Sequence, residues 1–398
     1  MRKQQVESLY RYITGVIAGK PGGRLVKDNH ILETEYIPGD VLSLFDKLFD
    51  AGYSVEELKE PSNKLFNLLH QTLDRYSQGS VKQNGFLASL IEDNRRLENL
   101  LKETRPLILK LNSSYGKEDI DSITKLLREI EKIHNHYVVK ENALFPILEK
   151  HWPEHQCLKL MWSYHDDIRK TIKTAINLLG EPELRTTRFN NLTGEMFFSI
   201  FTILYREEKV LIPQIQETID NSVLENLMIE SAELGFSYLS PEELDIPEAV
   251  PEASHESTGK RPSDTITLST GELSLSQLEM LFRHMPVDVT YVDENDKVLF
   301  YSDPPDRIFP RSRSVIGRKV QNCHPPESLH IVEKILKAFR SGERDEASFV
   351  IRMGEKFIQI RYFAVRDEKG TFRGTLEVSQ DVTGIRKIDG ENRLPDWN

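Results

Sequence analysis

Cysteine is almost absent from this chain, with two residues, Cys157 and Cys323, among 398. Thiols so few and so far apart supply no disulfide framework and fit a reducing compartment. Long apolar runs are missing as well. The longest, "MFFSIFTILY" (196–205), falls well short of the roughly 20 residues a membrane-spanning helix needs. The opening "MRKQQVESLYRYITGVIAGK" mixes polar residues throughout and lacks the apolar core of a signal peptide. Positive charge is in deficit, since Lys and Arg total 52 against 63 Asp and Glu, a net charge of −11. Without a basic face to displace counterions, neither nucleic acid nor a membrane is an expected partner. There is no P-loop, kinase signature, nucleotide fingerprint or nucleophile elbow, so no enzymatic activity is expected. What these absences leave is a cytoplasmic protein that works by binding.

What is present is an ordinary globular mixture of 38% hydrophobic and 29% charged residues, over a length that implies two or three domains. Residues 1–80 read as a helical region. Within it "GDVLSLFDKLFDAG" and "SNKLFNLLHQTLDRY" place apolar residues three and four apart. Residues 82–235 contain four longer helical stretches. "FLASLIEDNRRLENLLKE" sets Phe86, Leu87, Leu90, Ile91, Asn94, Leu97 and Leu101 on one stripe. The others are "DIDSITKLLREIEKIHNHYVVKENALFPILEKH", "QCLKLMWSYHDDIRKTIKTAINLLG" and "NLTGEMFFSIFTILYREEKVLIPQIQETI". Short links marked by Gly116, Pro153, Gly180 and Pro182 point to an antiparallel four-helix bundle.

Composition then shifts. Residues 240–264, "SPEELDIPEAVPEASHESTGKRPSD", carry prolines, acids and serines and few large apolar side chains, which reads as a linker. Beyond it the period changes to alternation. "VDVTYVD", "KVLFYS", "EASFVIRM", "KFIQIRYFAVRD" and "FRGTLEVSQDVT" predict five strands, with "DEND" as a hairpin turn and "SLHIVEKILKAFRSG" as an inserted helix. Residues 268–388 are therefore expected to form an α+β domain around one antiparallel sheet.

Two phrases in the bundle, "HYVVKENALFP" and "REEKVLIP", together with "MWSYHDDIR", resemble the hemerythrin-like (HHE cation-binding) family. That resemblance implies an all-α four-helix bundle with metal ligands at its centre. Carried over residue by residue, it makes His136, Glu141, His165 and either Glu207 or Glu208 candidate metal ligands. Lys140, Met161 and Ile203 stand at positions where the family has ligands, and the first helix carries no histidine. The gap from His136 to Glu141 turns through about 140° of helix, less favourable than a gap of four. A five-histidine di-iron site is not encoded. Two histidines and two carboxylates suit a single Fe, Zn or Mn. The preferred reading is no metal, with Met161 and Ile203 repacking the centre and the remaining polar groups bonded to each other.

The strand series, "MPVDVTYVDENDKVLFYS", "RIFPRSRSVIGRKVQNCHPP" and the closing "LEVSQDVT" resemble the PAS family, in particular PAS domains fused to hemerythrin-like bundles in bacterial proteins. Such domains bind haem, flavin or another small ligand, or dimerise. In "NCHPP", Cys323 and His324 are candidate cofactor-binding residues, as an axial haem ligand or a redox sensor. The plainer reading is a loop stiffened by Pro325 and Pro326. The basic cluster Arg307, Arg311, Arg313, Arg318 and Lys319 reads as a solvated face or as a contact for an anionic ligand or an acidic partner. The function expected is sensory or regulatory: a PAS domain reports a ligand or redox state through an unidentified protein partner, with a homodimer expected. The alternative is a non-haem-iron protein that responds to O₂ or NO.

Overall fold

The computed structural model describes residues 2–76, 85–113, 115–181, 184–246 and 265–388, in two compact units divided at Glu248. The first unit is entirely helical. Helices α1 (Lys3–Ile17), α2 (Gly22–Asp28), α3 (Pro38–Asp50) and α4 (Val55–Arg75) come first, two more than the apolar spacing alone predicts. Ser54 caps α4: its hydroxyl accepts from the Glu57 amide while the Glu57 carboxylate accepts from the Ser54 amide, satisfying two helix-end donors reciprocally.

Four long helical runs follow. They are α5 (Phe86–Lys110); α6 (Lys117–Glu131) continued by α7 (Ile133–Val139) and α8 (Phe145–His151); α9 (Cys157–Leu179); and α10 (Thr186–Arg206) continued by α11 (Ile212–Thr218). A shorter α12 (Asn221–Leu234) closes the unit. Helix α5 packs on α6, α6 on α9, α9 on α10, and α10 back on α5. Within residues 2–76, α1 packs on α2, α3 and α4, and the core they bury is continuous with that of the later helices. One contiguous apolar cluster runs from Val6 through Leu44, Leu65, Leu97, Phe145, Ile172 and Ile203 to Phe236, so the regions read from sequence as 1–80 and 82–235 fold as one body. The start of the expected linker is anchored too. Leu244 packs against that core, and Glu243 pairs with Arg96 at 2.5 Å. The rest of the linker lies outside the described residues.

Two turns inside the helical runs are widened. Residues Lys140–Leu144 and Glu207–Leu211 are π-helical, with Phe145 N–H bonded to the Lys140 carbonyl and Ile212 N–H to that of Glu207, each five residues back. The cause is in the sequence: Pro146 and Pro213 stand two residues past the end of each. A proline inside an α-helix has no N–H to give and its ring presses on the carbonyl four residues back. Opening one turn to an i→i+5 pattern relieves both, and such bulges turn side chains out of the α-helical phase. Lys140 and Glu141 are consequently both buried although adjacent.

The second unit opens with a hairpin, β1 (Thr265–Leu268) and β2 (Gly271–Ser274), and helix α13 (Leu275–His284), none of which the alternation pattern predicts. A five-stranded antiparallel sheet follows: β3 (Asp288–Asp293), β4 (Val298–Tyr301), β5 (Glu346–Met353), β6 (Lys356–Arg366) and β7 (Phe372–Asp381), in spatial order β4-β3-β7-β6-β5. Helix α14 (Pro326–Ser341) is inserted before β5 and ends at Gly342, whose left-handed φ of 73° stops it. These are the five strands and inserted helix expected from the sequence. The β3–β4 turn is held by Asp293 Oδ1, which accepts from the amides of Asn295 (2.9 Å) and Lys297 (2.8 Å).

Candidate functional site

The helical unit has a charged centre. Glu207 lies at its middle, 3% exposed, and accepts a bond from the ammonium of Lys140, which is 1% exposed. Asn94 Nδ2 donates to Glu207 Oε2 at 3.3 Å. The Nε2 atoms of His136 and His165 stand 3.7 and 3.8 Å from the two Glu207 oxygens and have no hydrogen-bond partner. Each imidazole is oriented from its other nitrogen. His136 Nδ1 meets Asp93 Oδ2 at 3.1 Å, and His165 Nδ1 meets Glu141 Oε1 at 2.8 Å. Tyr137 stacks on His165, ring centroids 3.9 Å apart, and the Arg169 guanidinium holds the other Glu141 oxygen at 2.8 Å.

The electrostatics follow from burial and pairing. Burial works to raise the Glu207 carboxyl, but the Lys140 charge and the two imidazoles outweigh it and hold it well below the usual carboxylate range. Burial likewise opposes ionisation of Glu141, and the His165 hydrogen bond and Arg169 charge bring it down. His165 is pulled down by burial and then by the Lys140 charge, against the pull of Glu141 and Glu207, so its ring is neutral. With Nδ1 donating to Glu141, its Nε2 carries the lone pair.

His136, Glu141, His165 and Glu207 are thus brought together, but not as the sequence pairs them. Glu141 faces His165 and Arg169 rather than His136, because the widened turn rotates it. Glu208 is outside the cluster; it is half-buried, and burial, with Glu98 and Glu207 nearby, raises its carboxyl. Sequence reasoning missed Asp93, Arg169 and the role of Lys140. The one signal available was Asn94, a polar residue in the apolar stripe of α5. Among the described residues, no group of three or more His, Cys, Asp or Glu side chains is placed to hold a metal ion. As arranged, the donors do not fit one: Glu207 is neutralised by an ammonium and Glu141 by a guanidinium, and a divalent ion would meet Lys140 head-on.

The second unit places Cys323 and His324 between a short 3₁₀ turn (Val320–Cys323) and α14. Cys323 is half-buried with Sγ 3.6 Å from the Lys319 carbonyl. His324 Nδ1 lies 2.8 Å from the Val320 carbonyl and donates to it. Burial depresses the imidazole, and Arg311 and Arg318 add to that while Glu377 opposes it, so the ring is neutral. The basic cluster divides. Arg313 and Lys319 are exposed, whereas Arg318 is buried and Arg311 is partly so. Arg307 donates to the Ser302 carbonyl, to the Phe309 carbonyl at 2.8 Å and to Thr290 Oγ1 at 3.2 Å. The face of the sheet beneath them is polar: Asp288, Thr290, Thr375, Glu377 and Ser379 are all at most 8% exposed.

An antiparallel sheet whose first and last strands pair at the centre, with a helix inserted ahead of the third, makes a small α+β scaffold. The family model described as "PAS domain" matches residues 278–383, and the C-terminal unit is a PAS domain. Among solved structures, the C-terminal domain of a protein from Streptococcus mutans is 34% identical, with 31% of this chain and 97% of that chain covered and a TM-score of 0.30. The PAS domain of a protein from Colwellia psychrerythraea is 18% identical, covering 28% of this chain and 98% of that one at a TM-score of 0.23. A sensory box sensor histidine kinase from Vibrio cholerae is 13% identical, covering 27% and 90% at a TM-score of 0.22. No curated protein matches the chain. No described helix is long and apolar enough to cross a membrane.

Proposed function

We propose that this chain is a sensory or regulatory protein in which the PAS domain takes a small ligand and passes the bound state on by protein contact. The observation that carries the reading is the covered, polar inner face of the PAS sheet, where a domain built only for packing would place apolar residues. That face suits a small polar ligand better than a haem, whose macrocycle needs apolar walls. Output by contact is supported by α13, which has no buried residue and exposes Leu275, Met280 and Leu281. A second copy of the chain is the partner we favour.

The helical unit is, in this reading, a hemerythrin-like bundle whose centre is degenerate, with the Lys140 ammonium standing where such a bundle would carry positive charge as metal. Metal analysis and an ultraviolet–visible spectrum of the purified full chain, with thermal unfolding across a broad small-molecule panel, test the proposal. The expected result is substoichiometric Fe, Zn and Mn, with ligand-dependent stabilisation of one unfolding transition. Stoichiometric iron with oxo-bridge bands would replace it with the O₂- or NO-responsive reading. A panel without effect would remove ligand sensing.

A further inference from the structure

The register of the PAS sheet fixes which side chains share its inner face. Val292 pairs with Thr375, Thr290 with Glu377, and Asp288 with Ser379, and Glu377 pairs on its other side with Tyr362. Val292 belongs to the buried apolar cluster with Val298, Val315, Val320 and Leu336, so this is the covered side. Paired residues of antiparallel strands point the same way, and Thr375, Glu377 and Ser379 therefore join Val292 beneath the cover. Short side chains flank Tyr362 on this face, Ala347 across from it and Ala364 two residues along.

Part of the polar set is internally satisfied. Asp288 accepts from the Ile308 amide at 2.7 Å, and Thr290 accepts from Arg307. Three groups are not. Thr375 Oγ1 is buried with no hydrogen-bond partner, and so is Arg311 Nε. Glu377 has a single side-chain contact at the limit of hydrogen bonding, Ser379 Oγ at 3.5 Å. Arg311 and Glu377 both lie within electrostatic reach of Tyr362 and of His324. Yet among the described residues they form no ion pair with each other. An unpaired guanidinium and an unpaired carboxylate facing one site leave both open to a ligand that carries charges of both signs.

The chemistry of the bridge follows by elimination. A simple anion on Arg311 would face the Glu377 carboxylate, and a simple cation on Glu377 would face Arg311. An apolar ligand would desolvate both. A dipolar ion whose ammonium and carboxylate are carried by one carbon satisfies both ends, and a carboxylate takes the two-pronged geometry of a guanidinium best. We infer that the inner face of this PAS sheet is a binding site for a free α-amino acid, its carboxylate on Arg311, its ammonium on Glu377, and Thr375 Oγ1 bonded to the ligand. This rests on the ligand-sensing reading above and names the ligand class.

The test uses the full chain, with calorimetry and thermal unfolding against each standard α-amino acid. Every binder is compared with two analogues, one lacking the amine and one lacking the carboxylate. The expected result is saturable binding of one amino acid or a related few, weakened at least about tenfold by loss of either group. Arg311→Met and Glu377→Gln should each weaken it by a similar factor. Analogue comparison on the unaltered protein keeps the test decisive if a variant misfolds. If carboxylates without an amine bind equally well, the zwitterion assignment falls and ligand sensing stands. If a panel including carboxylates, amines, flavin and haem finds a binder but no amino acid does, the assignment again falls alone. If nothing binds, both fall together.

Discussion

The Lys140 ammonium is bonded to the Glu207 carboxylate in the interior of the helical unit, and each residue opens one of its two π turns. A buried pair of this kind contributes little relative to apolar packing, but breaking it is expensive because one charge stays behind uncompensated. Lys140→Met should destabilise the helical unit by about 3–5 kcal/mol. Glu207→Leu alone should do the same by leaving the ammonium unpaired. The double replacement should recover a large part of the loss. A double-mutant cycle in urea measures the coupling, and additive single losses would show that the two charges do not depend on each other.

Acid should weaken this unit in two steps. His165 is held neutral in the folded state because burial and then the Lys140 charge pull it below 6.5. The unfolded chain therefore takes up that proton first, and stability present above pH 6.5 is lost as pH falls below it. Glu141 and Glu207 are depressed below 4.5. Their contribution is present above that value and lost as pH falls through the depressed range. Glu208, Asp40 and Asp46, all raised by burial, work in the opposite sense and blunt the second step. Circular-dichroism melts from pH 7.5 downward should show the midpoint falling first below pH 6.5 and again below 4.5. A flat first step would mean that His165 is charged in the folded protein.

The PAS sheet was legible in the sequence because alternation is read directly from β-branched and aromatic residues. Strands β3 to β7 and α14 fall where the pattern put them. Helix α13 was overlooked although Leu275, Leu278, Leu281 and Phe282 recur at helical spacing and Ser274 caps its start, signals as readable as those of the longer helices. The helical runs were visible, but the consequence of Pro146 and Pro213 was not. Both sit inside strongly periodic segments, where a proline reads as a break or kink. The widened turns they impose redirect Glu141 to His165. The partnership of Asp93 with residues 237 and 238 spans some 140 positions, a pairing no local pattern encodes.

Asp93 should matter more than an ordinary helix aspartate. Its Oδ1 accepts from the Tyr238 amide at 2.8 Å, and its Oδ2 accepts from the Ser237 amide at 3.1 Å and from His136 Nδ1. Hydrogen bonds to a buried charge contribute about 1.5–3 kcal/mol each when lost. Asp93→Ala should therefore destabilise the unit by at least that much and release the segment after α12. Limited proteolysis should then cut near Ser237 well before the body unfolds. Unchanged protection there would mean that Phe236 and Leu239, packed on the core, suffice to hold the segment.

Gly374 joins β7 to β3 where no side chain can stand. Its φ is +148°, and a Cβ there would lie 2.2 Å from the Val292 carbonyl oxygen and 3.0 Å from the Tyr291 ring. That oxygen is backbone in the neighbouring strand and cannot swing aside. Gly374→Ala should pry apart the β3–β7 pair at its Asp293 end, at a cost of about 2–4 kcal/mol. Gly370→Ala is the matched control: its φ is +76°, but nothing lies within 4 Å of the added carbon, so only the conformational term of about 1 kcal/mol applies. Chemical unfolding of the two variants should separate these costs. Hydrogen exchange should localise the larger one to the amides of β3 and β7. Equal losses would show that the sheet yields at Gly374 and that the close approach of the two strands is not what requires glycine.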